Sequence, residues 1–315
     1  MRSHGEPDDD RGHALRRAEE TPRDFLEEWR TYRNTVVHVG DVEMHDTARG
    51  MRRGVYVGAD ADRPTRSMDA LVHEIDPGVT STVHRHSWDA IVFVVAGWGW
   101  TEIDGERIEW GPGDSLHLPA WAWHRHGNEG TGTGRFLSFS SEPMLETMGM
   151  AFQEDGGTAR FEELAPRPPY SPAIDGDDPY ARRVRRLARD QDARRSGRLH
   201  TSWDSLELLQ TPRGTRTTFL LDRAIGYEAS GITMAMFEIG PDRGQSMHRH
   251  PGEAWLYVVE GRGHSFLGTE PTRARTTRGR RATSSSSTTS RGTSTSTTTR
   301  RRPPRWSGST CSTAC

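Results

Sequence analysis

The chain has 315 residues with 42 basic and 44 acidic side chains, a formal charge of −2, and every basic residue is Arg. The absence of Lys excludes a Schiff-base lysine, a phosphate-loop lysine and a lysine general base. The charge is divided unevenly: residues 1–268 hold 32 Arg against 43 acids, net −11, whereas 269–315 hold 10 Arg against Glu270 alone, net +9. An acidic body argues against a nucleic-acid partner.

The length suggests about two domains of roughly 150 residues each. No apolar run approaches the ~18–20 residues that cross a bilayer, so no membrane partner is expected. The start of the chain is too acidic and polar for a secretory signal. Both cysteines, Cys311 and Cys315, lie in the tail, leaving the body without disulfide or thiolate chemistry. These features together predict a cytoplasmic location.

In chain order, residues 1–34 read as an extension. The charged stretch 1–22 carries too few apolar residues to order itself, and Phe25, Trp29 and Tyr32 recur at helical spacing. Residues 35–145 consist of short β-branched and aromatic runs broken by Gly, Pro and Asp, an all-β barrel or sandwich pattern. Runs at Ala90 to Val95, Gly99 to Ile103 and Ser115 to Leu118 are typical, and Asp104-Gly105 predicts a tight hairpin. Residues 146–202 are rich in Pro, Asp and Arg and read as a linker holding one Arg-rich helix near Tyr180 to Asp192.

Residues 203–268 repeat the first β-rich stretch. His84-Arg-His86-Ser-Trp-Asp-Ala90-Ile-Val-Phe-Val-Val-Ala-Gly97-Trp-Gly99 aligns, at an offset of 164, with His248-Arg-His250-Pro-Gly-Glu-Ala254-Trp-Leu-Tyr-Val-Val-Glu-Gly261-Arg-Gly263, and eight of the sixteen positions are identical. Two copies of one β-fold are therefore expected.

Within the first copy, His84 and His86 share one face of a strand, because side chains at i and i+2 point the same way. Gly113-Asp114, Pro119, His124 and Asn128 follow. A histidine on a later antiparallel strand closes a set of three imidazoles, which suits Fe, Zn, Cu or Ni and leaves positions open for other ligands. His124 is the first choice for that third ligand, and His126, two residues on, is the alternative on the same face. His117 and His73 read as ordinary strand residues, Asn128 as a turn residue or an outer support of the site, and Asp89 as a remote candidate ligand. Trp98, Trp100, Trp121 and Trp123 either line a pocket for an aromatic substrate or fill the barrel core and an interface.

These blocks, Gly78-x5-His84-x-His86 closing at Gly97 and Gly113-x5-Pro119-x4-His124-x3-Asn128, resemble the paired motifs of the cupin superfamily, and the duplication resembles a bicupin. The resemblance implies a double-stranded β-helix, here as two tandem barrels with the second truncated. Two positions depart from the pattern. Ala90 and Ile91 stand where many cupins carry a glutamate, and Trp121 stands where a glycine is usual. Loss of the glutamate, together with Pro119-Ala-Trp121-Ala-Trp123-His124-Arg-His126-Gly-Asn128, is similar to the gentisate 1,2-dioxygenase branch. That similarity implies His84, His86 and His124 on Fe(II), or another divalent metal. It further implies an aromatic hydroxy acid and O2 as reactants, ring cleavage as the reaction and, in an intact homologue, a homo-oligomer. Other cupin chemistry, such as isomerisation or decarboxylation, and non-catalytic binding of a small molecule are the alternatives. Arg85, Arg125 and Arg135 are available for a substrate carboxylate, but Arg85 and Arg125 alternate away from the ligand face.

The tail, 269–315, contains no Val, Ile, Leu, Met, Phe or Tyr, and 24 of its 47 residues are Ser or Thr. It reads as disordered. An Arg-only composition marks GC-rich codons, and reading the codons one nucleotide upstream permits Gly-Asp followed by Ala-Trp-His-Gln-His-Phe-Asn, the spacing of Gly113 to Asn128. This predicts that a frameshift near Gly268 replaced the last strands of the second copy. That copy keeps His248 and His250 without a third ligand, and its exposed strand edges predict an unstable or aggregation-prone chain.

Overall fold

The computed structural model describes residues 36–314 apart from 59, 60, 62, 64, 166–173, 249–251, 268–274 and 281–308. The expected N-terminal extension, 1–34, and the stretch 282–299 that permits the shifted frame lie outside the described residues.

The first half is built from strands β1 (His45–Asp46), β2 (Arg52–Val57), β3 (Asp69–Ile75), β4 (Val83–His86), β5 (Ala90–Ala96) and β6 (Gly99–Ile103). It continues with β7 (Glu106–Trp110), β8 (Ser115–Leu118), β9 (His124–Gly127) and β10 (Gly134–Ser140). Helix α1 (Glu142–Thr147) follows, then β11 (Gln153–Gly157), α2 (Pro179–Ser196) and β12 (His200–Thr201). A seven-stranded sheet runs β1-β2-β3-β10-β5-β8-β12, and a five-stranded sheet runs β11-β4-β9-β6-β7. The β6–β7 hairpin closes on Ile103↔Glu106. Its two-residue turn has Asp104 at φ 47° and Gly105 at φ 89°, the double positive φ that the right-handed twist of a hairpin favours.

Two strands from the stretch read as a linker complete these sheets. Gln153–Gly157 pairs with the histidine-bearing β4, and His200–Thr201 with β8. Sequence reading overlooked β11 because Gln-Glu-Asp-Gly-Gly has no alternating apolar face; the strand is an exposed edge held by its backbone. Helix α2 occupies the Arg-rich stretch, with Pro179 in its first turn and Asp178 capping the Tyr180 and Ala181 N–H groups at 2.8 and 3.1 Å.

The second half comprises β13 (Leu209–Gln210), β14 (Arg216–Leu221), β15 (Met234–Ile239), β16 (Trp255–Glu260), β17 (Arg262–Leu267), β18 (Arg275–Arg280) and β19 (Ser309–Ala314). Its sheet order, β13-β14-β15-β19-β16, repeats β1-β2-β3-β10-β5, and the β17–β18 hairpin repeats β6–β7. The duplication seen in sequence is thus a duplication of topology. Two described pieces of the tail, Arg275–Arg280 and Ser309–Ala314, are strands, the latter paired on both sides. A sheet ladder needs only backbone N–H and C=O groups, β-branched Thr is compatible with extended chain, and an empty slot between β15 and β16 would leave two unpaired edges.

The consecutive apolar run of β5 fits a strand covered on both faces. Val92 and Val94 face the first barrel's interior with Ile75, Leu116, Leu118 and Phe136. Ile91 and Phe93 face the other way, into a core shared with Leu220, Leu221, Tyr227, Met234 and Met236 of the second half. Both halves therefore bury one common apolar layer. Among the described residues no helix is long and apolar enough to cross a membrane.

Candidate metal centre

Alternation along β4 turns His84 and His86 inward and Arg85 outward. On β9 it turns His124 and His126 inward and Arg125 outward, where Arg125 pairs with Glu102. His84 is the direct cross-strand partner of His124. The ring centroids lie 4.1 Å apart for His84 and His124, 4.8 Å for His86 and His124, and 5.9 Å for His84 and His86. One nitrogen from each of the three lies within 4.8 Å of the others, a separation that one ion spans.

Hydrogen bonds set the tautomers. Backbone carbonyls only accept, so His86 Nδ1–H donates to Trp88 O at 2.7 Å and His124 Nδ1–H to Ala122 O at 2.9 Å. Each Nε2 is left with its lone pair available, as a metal ligand requires. His84 Nδ1 is buried with no hydrogen-bond partner, so this ring has a polar atom in want of one. Burial holds His84 and His124 well below the usual imidazole range, and it lowers His86 to about 4 despite the opposing Trp88 carbonyl. All three are neutral at physiological pH, and protons do not compete for the ligand positions. The residues present fit a divalent transition metal.

His126 stands beside this trio with a partner of its own. Its Nδ1 bonds Thr101 Oγ1 at 2.8 Å, Thr101 in turn accepts Trp110 Nε1–H at 3.0 Å, and the ring lies 5.0 Å from Phe136. His73 is an interior residue bonded to Ser138 at 2.9 Å. Asp89 turns its carboxylate to His117 Nε2 at 2.8 Å rather than to the trio. Asn128 bridges Ile75 O, Gly132 O and the Gly130 N–H, closing the loop after β9.

The four tryptophans do not line the trio. Trp98 is 58 % exposed. Trp100 lies on the outer sheet face under Arg107, with Nε1 on Glu129 at 3.1 Å. Trp121 and Trp123 sandwich the outward Arg85 guanidinium at 4.6 and 4.4 Å, and Glu154 closes that ion pair. Strand alternation sets this face, since Trp123 and Arg125 flank the inward His124. Trp121, at the usual glycine position, takes φ 64°. Its N–H donates to His86 O at 2.6 Å, and the Arg85 stack covers its ring.

Two residues that sequence reading missed approach the histidines. Trp88 stacks on His86, 4.6 Å between centroids and 5° between planes. Arg49, from the turn between β1 and β2, lowers the pKa of His84, His86, His124 and His126 through its charge. Its Nη1 is buried without a hydrogen-bond partner, and its Nη2 lies 3.7 Å from Asp155. No local motif marks Arg49; only barrel closure brings it to the site.

The frame that carries these histidines matches a known family. Residues 71–140 match the Cupin domain family. This segment is similar to a cupin domain. The all-β double-stranded β-helix extends further: the oxalate decarboxylase of Lactobacillus farciminis superposes with a TM-score of 0.52 over 78 % of this chain and 77 % of its own, at 16 % identity. Closer in sequence to the cupin segment are a 5-aminosalicylate 1,2-dioxygenase of a Comamonas species and gentisate 1,2 dioxygenase 1 of Aquipseudomonas alcaligenes. The first is 36 % identical over 87 residues, covering 28 % of this chain and 22 % of that protein. The second is 38 % identical over 96 residues, covering 30 % and 28 %. The aligned part of the chain thus spans about a quarter of the length of these relatives.

Proposed function

We propose that the first cupin site holds Fe(II) through His84, His86 and His124 and supports O2-dependent ring cleavage of an aromatic hydroxy acid of the gentisate and salicylate type. The observation that carries this reading is a cluster of three neutral imidazoles with no carboxylate among them, beside a buried Arg49 nitrogen that lacks a partner. When bound, such a metal supplies Lewis-acid and one-electron chemistry toward substrate and dioxygen.

The protein's own residues define what enters. Three uncharged ligands leave the ion's charge uncompensated, and Arg49 adds another positive group, so the chamber favours an anion. A carboxylate suits the free Arg49 Nη1 through a charge-assisted hydrogen bond. The Trp88 and Ala122 carbonyls hold His86 and His124 in the ligand tautomer, and Trp88 fixes the plane of the His86 ring. The names of the relatives support the aromatic-acid class, since both are aromatic-acid 1,2-dioxygenases.

The test is metal analysis of the purified chain together with oxygen uptake over a panel of hydroxybenzoates. Iron with uptake supports the reading. Metal without uptake redirects it to another cupin reaction such as decarboxylation, and a chain that takes no metal redirects it to small-molecule binding.

A further inference from the structure

Asp89 and Glu253 stand three residues after His86 and His250, separated by the same offset of 164 that relates the two halves. Each carboxylate crosses to the opposite half. Asp89 Oδ2 accepts the Ser230 backbone N–H at 3.0 Å, and Glu253 Oε1 accepts the Arg66 backbone N–H at 3.2 Å. Residue 230 is itself the 164-offset counterpart of 66, so the two bonds are one clasp repeated about a pseudo-twofold relation. Glu253 also accepts the Ser67 N–H at 2.9 Å and the Thr65 hydroxyl at 2.8 Å.

The two clasps differ in what else they hold. Among the described residues, the Glu253 carboxylate hydrogen-bonds to the loop 65–67. Asp89 Oδ1 instead accepts His117 Nε2–H at 2.8 Å and the Ala120 N–H at 3.2 Å. Ala120 belongs to the turn closed by Ala122 N–H on Pro119 O at 3.0 Å, in which Trp121 takes φ 64°. That turn touches two of the three histidines: Trp121 N–H donates to His86 O at 2.6 Å, and Ala122 O accepts His124 Nδ1–H at 2.9 Å. A continuous run of hydrogen bonds therefore leads from Ser230 of the second half, through one buried carboxylate and one turn, to His86 and His124.

We infer that Asp89 is a positioning residue through which the second half orients His86 and His124, while its twin Glu253 only fastens the halves together. The consequence for metal affinity rests on reading these histidines as metal ligands; the orientation itself does not. A carboxylate is needed because three donors converge on Asp89, and an amide in its place sets an NH2 donor against one of them. Contiguous bonding of this kind makes coupling physically available, and a variant comparison decides whether it operates.

The experiment uses the full chain and three variants. Asp89→Asn disturbs the whole clasp. Ala120→Pro deletes only the N–H that joins Asp89 to the turn, at the second position of a turn whose third residue has positive φ, where Pro is favoured. Glu253→Gln disturbs the twin. Two-bond 15N–1H imidazole spectra of the metal-free chain are expected to show displaced His86 and His124 signals in Asp89→Asn and Ala120→Pro, and unmoved signals in Glu253→Gln. Co(II) titration followed in the visible spectrum is expected to show binding weakened about 10–100-fold in the first two variants and unchanged in the third. Unmoved imidazole signals in Ala120→Pro, or the same response in Asp89→Asn and Glu253→Gln, overturn the inference. Should Asp89→Asn fail to fold, Ala120→Pro decides alone. Should the wild-type chain take no cobalt, the metal reading falls and the imidazole spectra still decide the clasp.

Discussion

His84 and His124 face each other as direct partners across the antiparallel β4–β9 pair, their ring centroids 4.1 Å apart. The site exists only where this pairing holds, because His86 reaches the same point from the other inward position of β4. His126 shares the inward face of β9 but is bound to Thr101. His124→Ala is therefore expected to strip the metal from the chain, whereas His126→Ala retains it and loses stability. Metal content after dialysis against a mild chelator checks both, and a His124→Ala variant with full metal would remove the ligand assignment.

Arg49 presents a buried nitrogen with no partner next to the histidines. Arg49→Gln is expected to raise KM for a hydroxybenzoate by about 10–100-fold, the equivalent of one charge-assisted hydrogen bond of roughly 1.5–3 kcal/mol. Metal content should be unaffected. Steady-state oxygen uptake over a substrate series tests this, and an unchanged KM counts against Arg49 as the carboxylate anchor.

Five interior histidines bear on acid stability. Burial lowers His73 to about 3 and both His86 and His126 to about 4, and it holds His84 and His124 well below their ordinary range. A group whose folded pKa is depressed contributes stability that is present above its unfolded pKa, about 6.5, and is lost as pH falls. Each imidazole adds about 1.4 kcal/mol per pH unit of slope in that window. Asp69 acts in the opposite sense, since burial raises its carboxyl to about 6 and its contribution is lost as pH rises through that value. The histidines outnumber it, so the metal-free chain is expected to unfold steeply as pH falls from 6.5 toward 5. Urea midpoints across that range measure it, and His73→Gln should shallow the slope by one proton.

Phe93 is 1 % exposed and lies on the face of β5 that meets the second half, 6.1 Å from Tyr257. Phe93→Ala is expected to cost about 3–5 kcal/mol, as for other large core truncations. Because the layer is shared, both halves should lose their cooperative unfolding together. Two separate transitions in differential scanning calorimetry would show instead that the halves fold independently.

Local patterns were enough to expose much of this architecture. His84-x-His86 on a strand, with His124 downstream, needs only the two-residue period of an extended chain to predict convergence. Asp104-Gly105 marked the β6–β7 hairpin because few residue pairs accept two positive φ values. The repeat between His84 to Gly99 and His248 to Gly263 anticipated the repeated sheet order. Local patterns failed where backbone pairing or tertiary closure decides. The edge strand Gln153–Gly157 and the Ser/Thr-rich Ser309–Ala314 carry no apolar alternation, yet both pair through their main chains.

By itself, the sequence determined that this is a duplicated β-fold with one inward set of three histidines, since strand period and repeat offset are properties of neighbouring residues along the chain. Which histidine completes the set, why the four tryptophans stay outside it, and how Arg49 and Trp88 come to it were decided only by the closed barrel. Those choices depend on which strands lie opposite one another and which face each strand turns inward. The Asp89–Ser230 and Glu253–Arg66 bonds belong to the same class, because they form only once the two halves have folded against each other.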